Sequence, residues 1–247
     1  MDYVYDGSFE GFLTAVFQVY LTRDVKARIL TSSNQVQLFS ESKIVYSETS
    51  CALRVWNGLL KKINLKSAKD FYATFLSGKA GIEDVLLGYI RYIFSNKGKV
   101  DLNFTNEFVS QISNVSKMVY RERHRMEAFV RFKLTADGIY YAAIEPDFNV
   151  LPLLVTHFTN RYADQRWLIY DLRRKYGLYY DLSATTTVEM EFTVNAKNEN
   201  IFHPDETFYQ QLWKDYFTNA NIVSRKNMKL HIRHVPLRYW KHLVEKS

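Results

Sequence analysis

Residues 128–144, Ala-Phe-Val-Arg-Phe-Lys-Leu-Thr-Ala-Asp-Gly-Ile-Tyr-Tyr-Ala-Ala-Ile, are where the chain changes its period. Ala128, Val130 and Phe132 alternate with Phe129, Arg131 and Lys133, the spacing of a strand with one buried face. Asp137-Gly138 then supplies positive-φ residues for a tight turn before Ile139 to Ile144, so the segment reads as a hairpin.

Upstream, from Ser50 to Tyr120, the spacing is helical throughout. Ile82, Val85, Leu86, Tyr89, Ile90, Ile93 and Phe94 form the cleanest stripe. Ser67-Ala68-Lys69-Asp70 reads as a capping box opening Phe71 to Leu76. A longer helix runs from about Thr105 toward Arg125 through Phe108, Ile112, Val115 and Val119. Before these, Tyr3 to Tyr5 is a short strand, and Phe9 to Leu21 a helix capped by Ser8 or Asp6. Arg28 to Thr31 and Gln37 to Tyr46 read as strands that pair across a polar break at Ser32-Ser33-Asn34.

Downstream, a helix over Val150 to Tyr162 follows the stop at Glu145-Pro146-Asp147. Trp167 to Asp171, Leu178 to Asp181 and Val188 to Thr193 read as antiparallel strands. Phe208 to Phe217 restores a helix, and Pro236 starts a final one. The fold class is α+β: a helical N-terminal part (1–100, with short strands) packed on a C-terminal part (101–247) with an antiparallel sheet flanked by helices. The long helix can belong to either side of that seam.

The 247 residues are 47% apolar and 24% charged, which excludes disordered, collagen-like and coiled-coil classes. A single cysteine, Cys51, cannot form an intrachain disulfide, a cluster site or a thiolate zinc site, and it fits a reducing cytosol. The acidic start is unlike an export signal, and no uncharged run reaches the roughly 18 residues of a membrane span, so a cytoplasmic protein without membrane contact is expected.

The formal charge is +7, and the basic excess sits in the second half. Lys117, Arg121, His124 and Arg125 stack at i, i+4, i+7 and i+8 on the long helix, where several cations can face one phosphate backbone. Arg173 and Arg174 lie in a hairpin loop, and Arg225, Lys226 and Lys229 in a basic C-terminal stretch. Tyr179, Tyr180, Tyr239 and Trp240 lie close by in sequence, and cations beside flat rings suit a nucleic-acid groove. A solvated helix face with a basic tail has the same composition.

His157 and Arg161 lie one turn apart, and Glu145 and Asp147 sit at a strand-to-helix junction. With His124 and Asp171 they can make an acid–base site that polarises a phosphate or moves a proton; a packed histidine beside a surface ion pair explains them as well. His231 and His234 have a metal-like spacing but no completing ligand, so neither metal nor cofactor is assigned. The nucleophile-elbow, Walker A, dinucleotide-binding, H-E-x-x-H and C-x-x-C motifs are all missing from the sequence.

Several strings occur together: Tyr5-Asp-Gly-Ser-Phe-Glu-Gly-Phe-Leu13, His124-Arg-Met-Glu-Ala-Phe-Val-Arg-Phe132, Glu145-Pro-Asp-Phe-Asn-Val-Leu-Pro-Leu153, His157 to Asp171, and His234-Val-Pro-Leu-Arg-Tyr-Trp-Lys241. In this combination the chain resembles a bacterial family assigned to DNA repair or DNA metabolism, whose C-terminal part is a domain of unknown function. The resemblance implies a DNA-repair setting beside a radical SAM protein similar to spore photoproduct lyase. In that family the domain is sometimes fused to a uracil-DNA-glycosylase-like domain. It brings no catalytic residue with it.

Three functions are therefore expected to compete: a DNA-binding accessory factor for a radical SAM partner, an enzyme acting on damaged or modified DNA, and a protein-interaction scaffold.

Overall fold

The structure is a computed structural model that describes residues 1–32, 42–189, 202–220 and 228–246. The class is α+β, and the chain divides into two compact units, Met1–Tyr120 and Arg121–Ser247. The division falls inside one long helix rather than near residue 100.

In the first unit β1 (Asp2–Tyr5) is buried along its whole length and lies between β2 (Arg28–Thr31) and β3 (Ser42–Ile44), parallel to both. The two later strands thus pair with β1 rather than with each other. A parallel neighbour needs a crossover, and α1 (Phe9–Thr22) supplies the one between β1 and β2. Residues 37–41 of the expected second strand lie outside the described residues. Ser8 caps α1, its Oγ accepting from the Gly11 amide at 2.9 Å, while Asp6 holds Ser8 in place.

Helices α2 (Thr49–Leu60), α3 (Leu65–Leu76) and α4 (Ile82–Ser95) close over this sheet and share one core that includes Phe12, Val16, Leu59, Phe71, Leu86 and Ile90. The start of α3 differs from its sequence reading. Asn64 is the N-cap, accepting from the Ser67 amide at 2.8 Å, so Ser67 lies within the first turn and Asp70 pairs with Lys66 instead. Any short polar side chain can take the cap, and the apolar Leu65 hid the earlier start.

Helix α5 (Glu107–Phe129) runs past its expected end. The Val130 amide still bonds the Met126 carbonyl at 3.1 Å, so Ala128 and Phe129 are helical, and the strand there shrinks to β4 (Lys133–Leu134). The turn to β5 (Tyr140–Ile144) stands where Asp137-Gly138 places it, with Gly138 alone at positive φ.

From β5 the chain enters α6 (Leu151–Arg161) and returns in β6 (Trp167–Asp171), which lies parallel to β5 in register from Tyr140–Trp167 to Ile144–Asp171. The expected antiparallel sheet is therefore mixed, because the β5–α6–β6 crossover brings two strands side by side in the same direction. β7 (Tyr176–Tyr180) and β8 (Thr185–Glu189) complete the order β4-β5-β6-β7-β8 with antiparallel pairings. Residues 190–193 of the last expected strand lie outside the described residues. Helices α7 (Glu206–Ala220) and α8 (Met228–His234) follow, then two 3-10 segments, Leu237–His242 and Val244–Lys246.

Candidate functional site

Two parallel neighbours end side by side at Ile144 and Asp171, and the loops leaving such paired carboxyl ends are where open sheets place ligands. Pro146 cannot continue the β5 ladder, so Glu145 to Asn149 form a loop. Beyond Asp171 the chain turns at once, with the Lys175 amide returning to the Asp171 carbonyl at 2.8 Å and Lys175 at positive φ.

Asp171 is completely buried. Its Oδ1 accepts from the Arg173 and Arg174 amides at 2.9 and 3.1 Å, and its Oδ2 from Arg174 Nη1 at 2.8 Å. The same guanidinium donates to the Pro146 and Asp147 carbonyls at 3.1 and 2.8 Å, so one arginine fastens the β5 loop to the end of β6.

The other anchor is Glu122 on α5, also buried. Its Oε1 accepts from the Asp147 amide at 2.9 Å and from the Tyr239 hydroxyl; its Oε2 faces Arg238 Nη2 at 3.3 Å and Arg125 Nη1 at 3.5 Å. Burial first, then the carboxylate, push the Tyr239 phenol well above its ordinary range, so it stays protonated and donates. Arg238 lies over the Tyr239 ring, 4.5 Å from its centroid, and bonds Asp147 Oδ2 at 2.9 Å.

Beside this pair, Lys241 donates to Glu145, and His242 Nε2 stands 3.6 Å from the same carboxylate. The lysine's hydrogen bond holds Glu145 below the usual carboxylate range. Burial, then Lys241, lower the His242 imidazole against the pull of Glu145, so His242 is neutral at pH 7.

Two of the four carboxylates lie beneath the surface and two lie on it. The Glu122 and Asp171 side chains are 2% and 0% exposed, whereas Glu145 and Asp147 are 36% and 46% exposed beside Arg173, Arg238 and Lys241 at 58%, 44% and 60%. Arg173 and Arg238 pair with Asp147 and Lys241 with Glu145 at the surface, while Glu122 and Asp171 anchor the loops from beneath. Such a surface presents fork-shaped and point donors to anionic oxygens such as those of phosphate.

Of the expected nucleic-acid contacts, Arg125, Arg173 and Arg174 belong to this cluster. Lys117 and Arg121 lie exposed on α5 and Lys229 exposed on α8; Arg225 and Lys226 lie outside the described residues. The five expected catalytic residues do not share one contact network. Glu145 is in the cluster, Asp171 is there as a buried anchor, and His124 points to solvent beside Glu127 with 84% of its side chain exposed. His157 and Arg161 sit on α6, which leads away from this end of the sheet by about 9 and 15 Å of helix rise, and line a separate cleft.

Sequence reasoning placed Tyr239 among the rings of a nucleic-acid groove and did not assign Glu122, Arg238 or His242 to a site. Signals existed: Glu122 is an isolated acid in a basic stretch, and Arg238 to His242 follow Pro236 as a compact polar-aromatic run. Among the described residues no group of His, Cys, Asp and Glu is arranged to hold a metal ion, and no helix is long and apolar enough to cross a membrane.

No curated protein and no solved structure matches the chain. Residues 80–245, more than half of it, match the family described as a domain of unknown function, DUF4130. These residues include every member of the cluster. The chain belongs to the DUF4130 family.

Proposed function

We propose that this protein is a DNA-binding accessory factor that presents damaged or modified DNA to a radical SAM partner. The observation that carries the DNA part is the group of exposed cations Arg173, Arg238 and Lys241, each held in place by a carboxylate, beside the carboxyl ends of two parallel strands. Preplaced cations lose little freedom on meeting phosphates, and phosphate contacts supply most sequence-independent affinity. The radical SAM partner rests on the family resemblance, and a chain with one buried cysteine leaves cluster chemistry to a neighbour. The test is anisotropy with labelled DNA: Arg173→Ala with Lys241→Ala should weaken binding to all sequences alike, and unchanged binding would remove the reading. Co-purification tests the partner.

The Glu145–His242 contact favours a second reading, in which the same end of the sheet acts on DNA itself and the neutral imidazole accepts a proton. His242→Asn would then abolish turnover and leave DNA affinity intact.

A further inference from the structure

The second unit contains a cleft of about 890 Å³ that the cationic cluster does not use. Phe132, Tyr140 and Tyr162 line it, together with Tyr209 and Trp213 of α7. A volume within roughly 300–1,000 Å³, aromatic lining and a few polar groups are the features of a small-ligand site.

The rings are held in place rather than loosely gathered. Phe132 meets Tyr162 edge-on with centroids 5.3 Å apart, and Tyr162 stacks on the buried Phe158. Trp213 donates its indole N–H to Glu245 Oε2 at 2.9 Å, while Arg131 pairs with Glu245 at 2.7 Å and lies 5.5 Å from the indole centroid. Trp213 nevertheless remains 40% exposed and Tyr209 55% exposed.

The polar lining selects among ligands with flat faces. Of the charged groups here, Arg131 is paired with Glu245 and Glu127 with Arg123, and Glu206 accepts from the Leu134 amide and from Gln210. Arg161 has no carboxylate partner among the described residues, and its guanidinium lies beside the Tyr162 ring at 5.7 Å. Gln165 and Gln210 add amides, each both donor and acceptor. Rings for a flat face, amides for an edge of mixed donors and acceptors, and one unneutralised cation for an anion match a nucleobase carrying its phosphate.

We infer that this cleft takes a single unpaired nucleotide of a DNA strand, its base against Trp213 and its phosphate on Arg161. The inference shares DNA as the ligand with the proposed function but assigns a different site. It is tested by titrating the full chain with deoxynucleoside 5′-monophosphates, with deoxyribose 5-phosphate and inorganic phosphate as controls, while following tryptophan emission. Nucleotides should quench it saturably and the base-free phosphates should not. By equilibrium dialysis, Trp213→Ala should weaken nucleotide binding roughly five- to hundredfold, the range for losing one base-stacking ring. Arg161→Gln, on an exposed side chain, should weaken it too and keeps the test open if the tryptophan variant fails to fold.

No saturable quenching, or equal binding of deoxyribose 5-phosphate, would overturn the inference. A single-stranded oligonucleotide compared with its fully abasic counterpart separates the two readings. Equal affinity for both would remove the nucleotide cleft and leave the phosphate-binding surface, whereas mononucleotide binding without oligonucleotide binding would remove the surface and overturn the assignment of the cleft to a DNA strand.

Discussion

The Tyr239 hydroxyl donates its hydrogen bond to the carboxylate of Glu122, 117 positions earlier in the chain, and both side chains are buried. That contact ties the C-terminal 3-10 segment to α5 directly beneath the exposed cations.

Removing the carboxylate leaves the Tyr239 hydroxyl, the Asp147 amide and two guanidinium groups short of an acceptor. Glu122→Ala is expected to cost about 2–4 kcal/mol of stability, and Tyr239→Phe less, about 1–2 kcal/mol. Urea unfolding of both variants checks the ranking; a phenylalanine variant as damaged as the alanine variant would contradict it.

Arg174 reaches three acceptors with two nitrogens of one planar group, which an ammonium cannot reproduce. Arg174→Lys should cost about 2 kcal/mol in the same assay despite keeping the charge. Wild-type stability in this variant would show that the fork does not fasten the Glu145 to Asn149 loop.

The pH profile follows from two groups at this end of the sheet. His242 has a folded pKa below its ordinary 6.5. Between those values the unfolded chain binds more protons, so stability falls as pH drops below about 6.5. Glu145, depressed by Lys241, adds a further loss as pH falls below about 4.5. His231, lowered by burial, acts in the same direction as His242. Chemical denaturation from pH 8 to about 3 should show His242→Asn flattening part of the first decline and Glu145→Gln the second. An unaltered decline in both would contradict the assignment.

Gly177 in β7 faces the β6 backbone so closely that an added Cβ would stand 2.9 Å from the Ile169 carbonyl oxygen. Gly177→Ala should therefore lower stability by about 1–3 kcal/mol through strain in the sheet. A neutral effect in thermal melts would mean that the strands separate without cost.

Local pattern carried much of the fold. The Ile82 to Phe94 stripe became α4, and Trp167 to Asp171 became β6 with the bounds its residues indicate. Ala128 and Phe129 fit both the helical and the alternating period, and hydrogen bonding back to Met126 decided between them. The direction of β6 beside β5 is set by the crossover, and the strand residues themselves carry no mark of it. Arg173, Arg174 and Glu145 were legible as site residues because turn and junction signals flag them. Glu122 was not, since its pairing with Tyr239, 117 residues away, leaves no local trace. His157 and Arg161 are near Glu145 in sequence, yet α6 carries them to a different cleft.

The most direct test of the central claim is the affinity of the full chain for labelled single- and double-stranded DNA across about 50 to 200 mM salt. The expected result is a steep negative slope of log affinity against log salt, reduced on duplex DNA by about 0.9 for each cation removed among Arg173 and Lys241. No binding at the low-salt end, or a slope unchanged in those variants, would contradict the assignment of this surface to DNA.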